Sequence, residues 1–208
     1  MGEGILDDEG AFAKEKIPND VELVVEAGCG GRSVLELASD EYLLRFKSNS
    51  KLRYDALDII PFDVSDAEQG FMRSVGTKLD AEERARISFK VEDATDLPYE
   101  DNSVTQIIFK DVFGDTRIDL RDHAAMVLEA KRVLRPGGTL KIIEQTTPSN
   151  VIRLGFLDHA ARVFGSHAET DGESPNTPPH EKSWDRNVTA SRSGETLIAR
   201  ITKPITAP

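Results

Sequence analysis

The chain has little of what builds covalent or metal staples: one cysteine, Cys29, and four scattered histidines in 208 residues. An intramolecular disulfide is impossible, a multi-cysteine zinc site is excluded, and no metal centre is expected. Long apolar runs are missing too, none coming near the roughly 20 residues that a bilayer span requires. The N-terminal MGEGILDDEG is acidic where a signal or transit peptide is basic. A cytoplasmic protein without a membrane span is expected. Positive charge is scarce: 26 basic against 37 acidic side chains leave a net charge of -11. Such a chain repels phosphate backbones, so no nucleic-acid partner is expected. Hydrophobic residues at 38% and charged residues at 30% are the balance of a folded globular chain. One domain over residues 1–208 is the natural reading at this length, monomeric or homodimeric, with a small molecule as its partner.

What the chain does have is an alternation of strand-like and helix-like segments, the pattern of an α/β fold with a mostly parallel sheet. Val21 to Val25 is a β-branched apolar run that leads into Gly28, Gly30 and Gly31. From Ser33 to about Phe46, Val34, Leu35, Ala38 and Tyr42 fall at helical spacing. Arg53 to Ile59 and Ile87 to Val91 read as the second and third strands, separated by helix from Pro61 to Arg86 that breaks near Gly76. Val104 to Phe109 is a fourth strand. Arg121 to Leu134 is the plainest helix, stopped by Pro136-Gly137-Gly138, and Thr139 to Glu144 is a fifth strand. Val151 to Phe164 reads as an amphipathic helix, Ser166 to Asn187 as a loop, and Val188 to Arg192 with Thr196 to Lys203 as a hairpin.

Three strand ends carry candidate chemistry. In Glu26-Ala27-Gly28-Cys29-Gly30 the glycines let the backbone turn sharply and let a ligand approach, while the next helix N-terminus offers N–H groups to an anion. The dinucleotide fingerprint G-x-G-x-x-G needs a glycine where this chain has Ser33, which weakens a nicotinamide cofactor. Asp58, at the tip of strand two, is placed to accept both hydroxyls of a ribose, although alone it is an ordinary solvated aspartate. Asp93 and Ala94, after strand three, offer a carboxylate and an N–H to an adenine, or form a plain charged strand end.

In chain order the pieces are E-x-G-x-G from Glu26, an acid after strand two, D-A-x-x-L-P-x-x-D-x-S from Asp93 to Ser103, and E-x-x-R-V-L-R-P-G-G from Glu129 to Gly138. The set resembles the class I S-adenosylmethionine-dependent methyltransferases, nearest to the small-molecule branch that includes quinone-biosynthesis enzymes, over about Val21 to Glu144. The resemblance implies a Rossmann-like, doubly wound α/β sheet of about seven strands, mostly parallel with an antiparallel C-terminal hairpin. It implies S-adenosylmethionine as cofactor and a small-molecule acceptor methylated at oxygen, carbon or nitrogen. It implies that Glu26, Ala27, Gly28, Cys29 and Gly30 surround the cofactor's methionine portion. Asp58, with Ile59 beside it, then holds the ribose, Asp93 and Ala94 read the adenine, and Lys110 and Asp111 face the methyl group and the acceptor. Residues 1–145 become the cofactor-binding core, and 146–208 the acceptor-facing segment and closing hairpin. Leu128 to Gly138 reads as structural.

Two positions depart from the family pattern. Arg32 stands where a third glycine is usual, either pairing with the cofactor carboxylate or filling the space of its methionine tail. Thr105 stands where an aspartate is common. No Asp or Asn followed by Pro-Pro-Tyr occurs after strand four, so the pattern for methylating an exocyclic base nitrogen is absent. Methyl transfer is an in-line displacement, and a base is needed only where the acceptor loses a proton. His123 and Asp111 are the catalytic candidates, with a packed core histidine the plainer reading of the first and a raised pKa required of the second. Two competing readings remain. One is a methyltransferase-like binding or regulatory protein of weakened catalysis, motivated by Arg32. The other is an NAD-dependent oxidoreductase, which leaves the segments around Leu97 and Arg135 without a purpose.

Overall fold

Apolar side chains alternate along the inner strands and give the sheet two buried faces. The computed structural model describes residues 13–30, 35–115, 117–145, 154–165, 188–193 and 196–205. Arg32, Ser33, His167, His180 and the Ser166 to Asn187 loop lie outside the described residues. In β1 (Glu22–Ala27), Leu23, Val25 and Ala27 enter one core and Val24 the other. β2 (Leu52–Asp58), β3 (Ile87–Val91), β4 (Val104–Lys110) and β5 (Leu134–Gln145) run parallel with β1 in the order β3-β2-β1-β4-β5. β7 (Thr196–Thr202) lies antiparallel to β5, and β6 (Val188–Ser193) antiparallel to β7. Seven strands, mostly parallel and closed by a hairpin, agree with the architecture expected. The strand order reverses between β1 and β4, which opens a crevice at their carboxyl ends.

Helices cover both faces. α1 (Asp40–Ser48) and α2 (Pro61–Ser74) pack Tyr42, Phe46, Ala67 and Phe71 on one; α4 (Leu120–Val133) and α5 (Leu154–Val163) pack Val127, Ala130, Ala160 and Ala161 on the other. Between α2 and β3, α3 (Ala81–Arg84) is one turn, closed by a capping box of Asp80 and Glu83.

The structure differs from the sequence expectation in two places that bear on function. The helix expected from Ser33 to Phe46 is broken in its described part: Leu35 and Ser39 are extended (ψ 144° and 146°), with a 3-10 turn at Glu36–Ala38 between them. Helix α1 starts only after Ser39, whose hydroxyl accepts the Tyr42 N–H at 3.4 Å. The break has a tertiary cause, because the Glu36 N–H donates to Glu26 (2.8 Å) and the Glu36 carboxylate accepts from Lys141 (2.6 Å). Strand five begins at Leu134 rather than Thr139. Its register on β4 jumps from Val104↔Leu134 to Gln106↔Thr139, so Arg135 to Gly138 bulge outward. Gly137 sits at φ +79°, and a Cβ on Gly138 would lie 2.8 Å from the Arg135 carbonyl oxygen, so both positions require glycine.

Candidate functional site

A cleft of about 770 Å³ opens at the carboxyl ends of β1, β2 and β4. Among the expected residues, Ala27, Gly28 and Gly30 line it from the turn after β1, Asp58 and Ile59 from the end of β2, and Asp93 and Ala94 from the loop after β3. Lys110 and Asp111 line it from the end of β4. Glu26, Cys29 and His123 do not line it; all three are buried.

Glu26 ends in the core under the glycine turn. Its Oε2 accepts from the Tyr54 hydroxyl and from the Glu36 N–H, while Oε1 has no hydrogen-bond donor among the described residues. Burial pushes its pKa up to about 7, with the Tyr54 and Glu36 hydrogen bonds and the charge of Lys110 opposing the rise. Asp58 ties the turn to β2, its Oδ2 accepting the Gly30 N–H at 3.0 Å and its Oδ1 the Ile60 N–H at 3.0 Å. Gly28 has φ +76°, and a Cβ there would lie 2.5 Å from Cγ2 of Val112. Cys29 fills the space behind the turn; burial, then the charges of Asp58 and Glu26, push its thiol up to about 12, the condition of an inert thiol.

The loop after β3 is held from two sides. Asp93 Oδ1 accepts the Thr95 N–H and hydroxyl, each at 2.8 Å. Glu129 of α4 accepts the Leu97 N–H at 2.8 Å, and Arg132 donates to the carbonyls of Leu97 (3.1 Å) and Tyr99 (2.9 Å). Glu129 and Arg132 also pair with each other at 2.6 Å. The E-x-x-R and D-A-x-x-L-P segments are therefore two halves of one brace that sets the cleft wall at Asp93 and Ala94.

Asp111 lies at φ 55°, its N–H donating to the Ile143 carbonyl (2.8 Å) and its Oδ1 accepting the Gln145 N–H (2.9 Å). His123 packs edge-on against the Phe113 ring, centroids 5.1 Å apart, in the core beneath the cleft. Sequence reasoning missed further lining residues: Asp63 on α2, Val112, Asp115 and Arg117 after β4, and Asp122 and Met126 on α4. The last pair stands at i, i+4 spacing, which marks a shared helix face; the stretch from Val112 to Ile118 has no periodicity to read. Glu144, buried at the end of β5, was also missed, although a charge after the apolar pair Ile142-Ile143 of an inner strand was a visible signal.

A family model described as a methyltransferase domain matches residues 19–188. Solved structures with the same fold include an S-adenosylmethionine-dependent methyltransferase from Aquifex aeolicus, with TM-score 0.53 and 15% identity over 89% of this chain and 85% of that one. A TehB-like methyltransferase from Corynebacterium glutamicum gives TM-score 0.53 and 17% identity over 89% and 82% of the two chains. The N-methyltransferase NodS from Bradyrhizobium japonicum gives 0.51 and 14% over 89% and 87%. No curated protein matches the sequence. At these identities the structural likeness is one of fold, and the family rests on the domain match that spans most of the chain. The chain belongs to the methyltransferase-domain family.

Proposed function

We propose that this protein transfers the methyl group of S-adenosylmethionine to an oxygen, carbon or nitrogen atom of a small molecule. The charge of the cleft is the observation that carries the reading: seven carboxylates and two cations line it, a field that favours a sulfonium cation and opposes the pyrophosphate of a dinucleotide. Behind the glycine turn, the buried Glu26 keeps an Oε1 that no donor among the described residues reaches, which adds to that field. Its volume, about 770 Å³, falls within the range of small-molecule sites.

In this reading the bound cofactor supplies an electrophilic methyl group on sulfur, and the chain binds and orients. Asp58 takes the ribose hydroxyls, Ile59 forms the apolar rim beside them, and Asp93 and Ala94 meet the adenine. Gly28 and Gly30 keep the turn free of side chains, and Lys110 balances the charge of Glu26. Where the acceptor loses a proton, Asp111 is better placed than His123, because it lines the cleft and His123 does not. Residues 1–145 form the cofactor part and 146–208 the acceptor-facing part. The acidic chain with its single thiol works in the cytoplasm as a monomer or homodimer. Among the described residues no helix is long and apolar enough to cross a membrane. The branch nearest quinone-biosynthesis enzymes rests on the sequence motifs alone.

The test is incubation with methyl-tritiated S-adenosylmethionine and a panel of phenols, quinols, amines and carboxylic acids. Label in the extracted small-molecule fraction, lost in Asp58→Ala, is the expected result. Cofactor binding with no label transferred to any acceptor class would favour the weakened, binding-protein reading. Binding of NADH with no response to S-adenosylmethionine would overturn the proposal.

A further inference from the structure

Glu144 is a carboxylate on an inner strand, 2% exposed, on the face of β5 that also buries Leu140 and Ile142. Among the described residues it pairs with no cation. Burial pushes its pKa up to about 7; the Phe113 N–H opposes the rise and the charge of Asp111 adds to it. An apolar side chain of similar size would pack there without the desolvation penalty, so the carboxylate points to a geometric role.

That role is visible in its bonds. Its oxygens accept the N–H groups of Phe113 (2.7 Å) and Gly114 (3.2 Å), in the turn that follows β4. On either side, the Asp111 N–H reaches the Ile143 carbonyl and the Gln145 N–H reaches Asp111. Residues 143–145 and 111–114 thus form one clasp. It keeps Asp111 at φ 55°, a left-handed conformation uncommon outside glycine. The next residue, Val112, presses Cγ2 against the bare Cα of Gly28, so the same turn sets the position of the glycine turn.

We propose that Glu144 is a positioning residue for methyl transfer: through residues 111–114 it sets Asp111 on the acceptor side of the cleft and, through Val112, the Gly28 turn on the cofactor side. The inference rests on the functional reading above. Removing the carboxylate takes the acceptor from the buried Phe113 N–H and the part-buried Gly114 N–H and lets both walls of the cleft move together.

The test uses the full chain and S-adenosylhomocysteine as probe. In Glu144→Gln, titration calorimetry should show affinity weaker by about tenfold, the worth of roughly one net hydrogen bond. Amide exchange at residues 112–114 should quicken by about tenfold or more, with β1 and β2 unchanged. Glu144→Asp, which keeps the charge but shortens the reach, should match the Gln variant in exchange and serves if that variant folds poorly. A double-mutant cycle separates positioning from general loss of structure: in a Val112→Ala background, Glu144→Gln should leave the affinity nearly unchanged. Additive effects, or a wild type that binds beside a Glu144→Gln variant of equal affinity and equal exchange, would overturn the proposal alone. A wild type that fails to bind the probe at millimolar concentration would overturn the functional reading and this inference with it.

Discussion

Asp55 and Glu26 are both wholly buried carboxylates on adjacent strands, one register step apart, yet their surroundings are opposite. Asp55 is surrounded by donors: Arg53 reaches both oxygens (3.1 and 2.7 Å), and Lys90 (2.9 Å) and the Tyr99 hydroxyl (2.8 Å) reach Oδ2. Glu15 joins the same cations and so fastens the N-terminal segment to the sheet. Burial acts to raise the Asp55 pKa, but the hydrogen bonds and charges of Arg53 and Lys90 hold it below the ordinary value. Glu26 has a phenol and one backbone N–H on one oxygen, and its pKa rises. The difference separates a carboxylate whose two oxygens are both partnered by the fold from one with an oxygen that no donor among the described residues reaches.

The contrast can be broken most sharply at Asp55. Asp55→Ala should lower the free energy of urea unfolding at pH 7 by about 3 kcal/mol, because it leaves the partly buried Arg53 and Lys90 with only the more exposed Glu15 and strips the buried Tyr99 hydroxyl of its acceptor. A loss under ~1 kcal/mol would mean that the cluster is no more than a solvated surface pair.

The second prediction concerns pH. From the ordinary glutamate value of 4.5 up to about 7, the folded chain holds a proton at Glu26 that the unfolded chain releases. Stability is therefore fully present below that window and lost as pH rises through it, by about 3 kcal/mol. Glu144 adds in the same direction. Asp55 runs the other way: its contribution is present above the ordinary aspartate value and lost as pH falls below it. Unfolding free energy measured from pH 5 to 8 without cofactor should fall, and Glu26→Gln should flatten the slope; an equal slope in the variant would contradict the assignment.

A smaller effect is expected at Lys141, which donates to Glu36 at 2.6 Å from a buried position and so holds the turn whose N–H reaches Glu26. Lys141→Met should cost about 1.5 kcal/mol in urea unfolding. The smallest effect is at Cys29: an aromatic disulfide reagent at pH 8 should leave the folded chain unlabelled and label one thiol per chain in denaturant. Fast labelling of the native protein would show that the glycine turn opens.

Much of the fold could be read ahead of the structure because its signals are local. Val21 to Val25 and Val104 to Phe109 are apolar runs bounded by turn residues, and Asp58 follows such a run directly. What could not be read depends on residues far apart. Glu36 breaks a helical pattern by pairing with Lys141, 105 residues away. Pro136-Gly137-Gly138 reads locally as a stop and becomes a bulge only because Leu134 pairs with Val104. Glu144 is visible as a charge at the end of an apolar strand, but its partners, the Phe113 and Gly114 N–H groups about 30 residues away, are not. The same limit applies to the E-x-x-R motif of α4, whose purpose shows only when Leu97 lies against it.

Calorimetric titration of the wild-type chain and Asp58→Ala with S-adenosylmethionine goes straight to the cleft. Saturable binding at one site, weakened at least about tenfold by the substitution, is expected from a carboxylate that holds two ribose hydroxyls. No binding at millimolar cofactor, or equal affinity in the two proteins, would contradict the assignment of this cleft to an adenosyl cofactor.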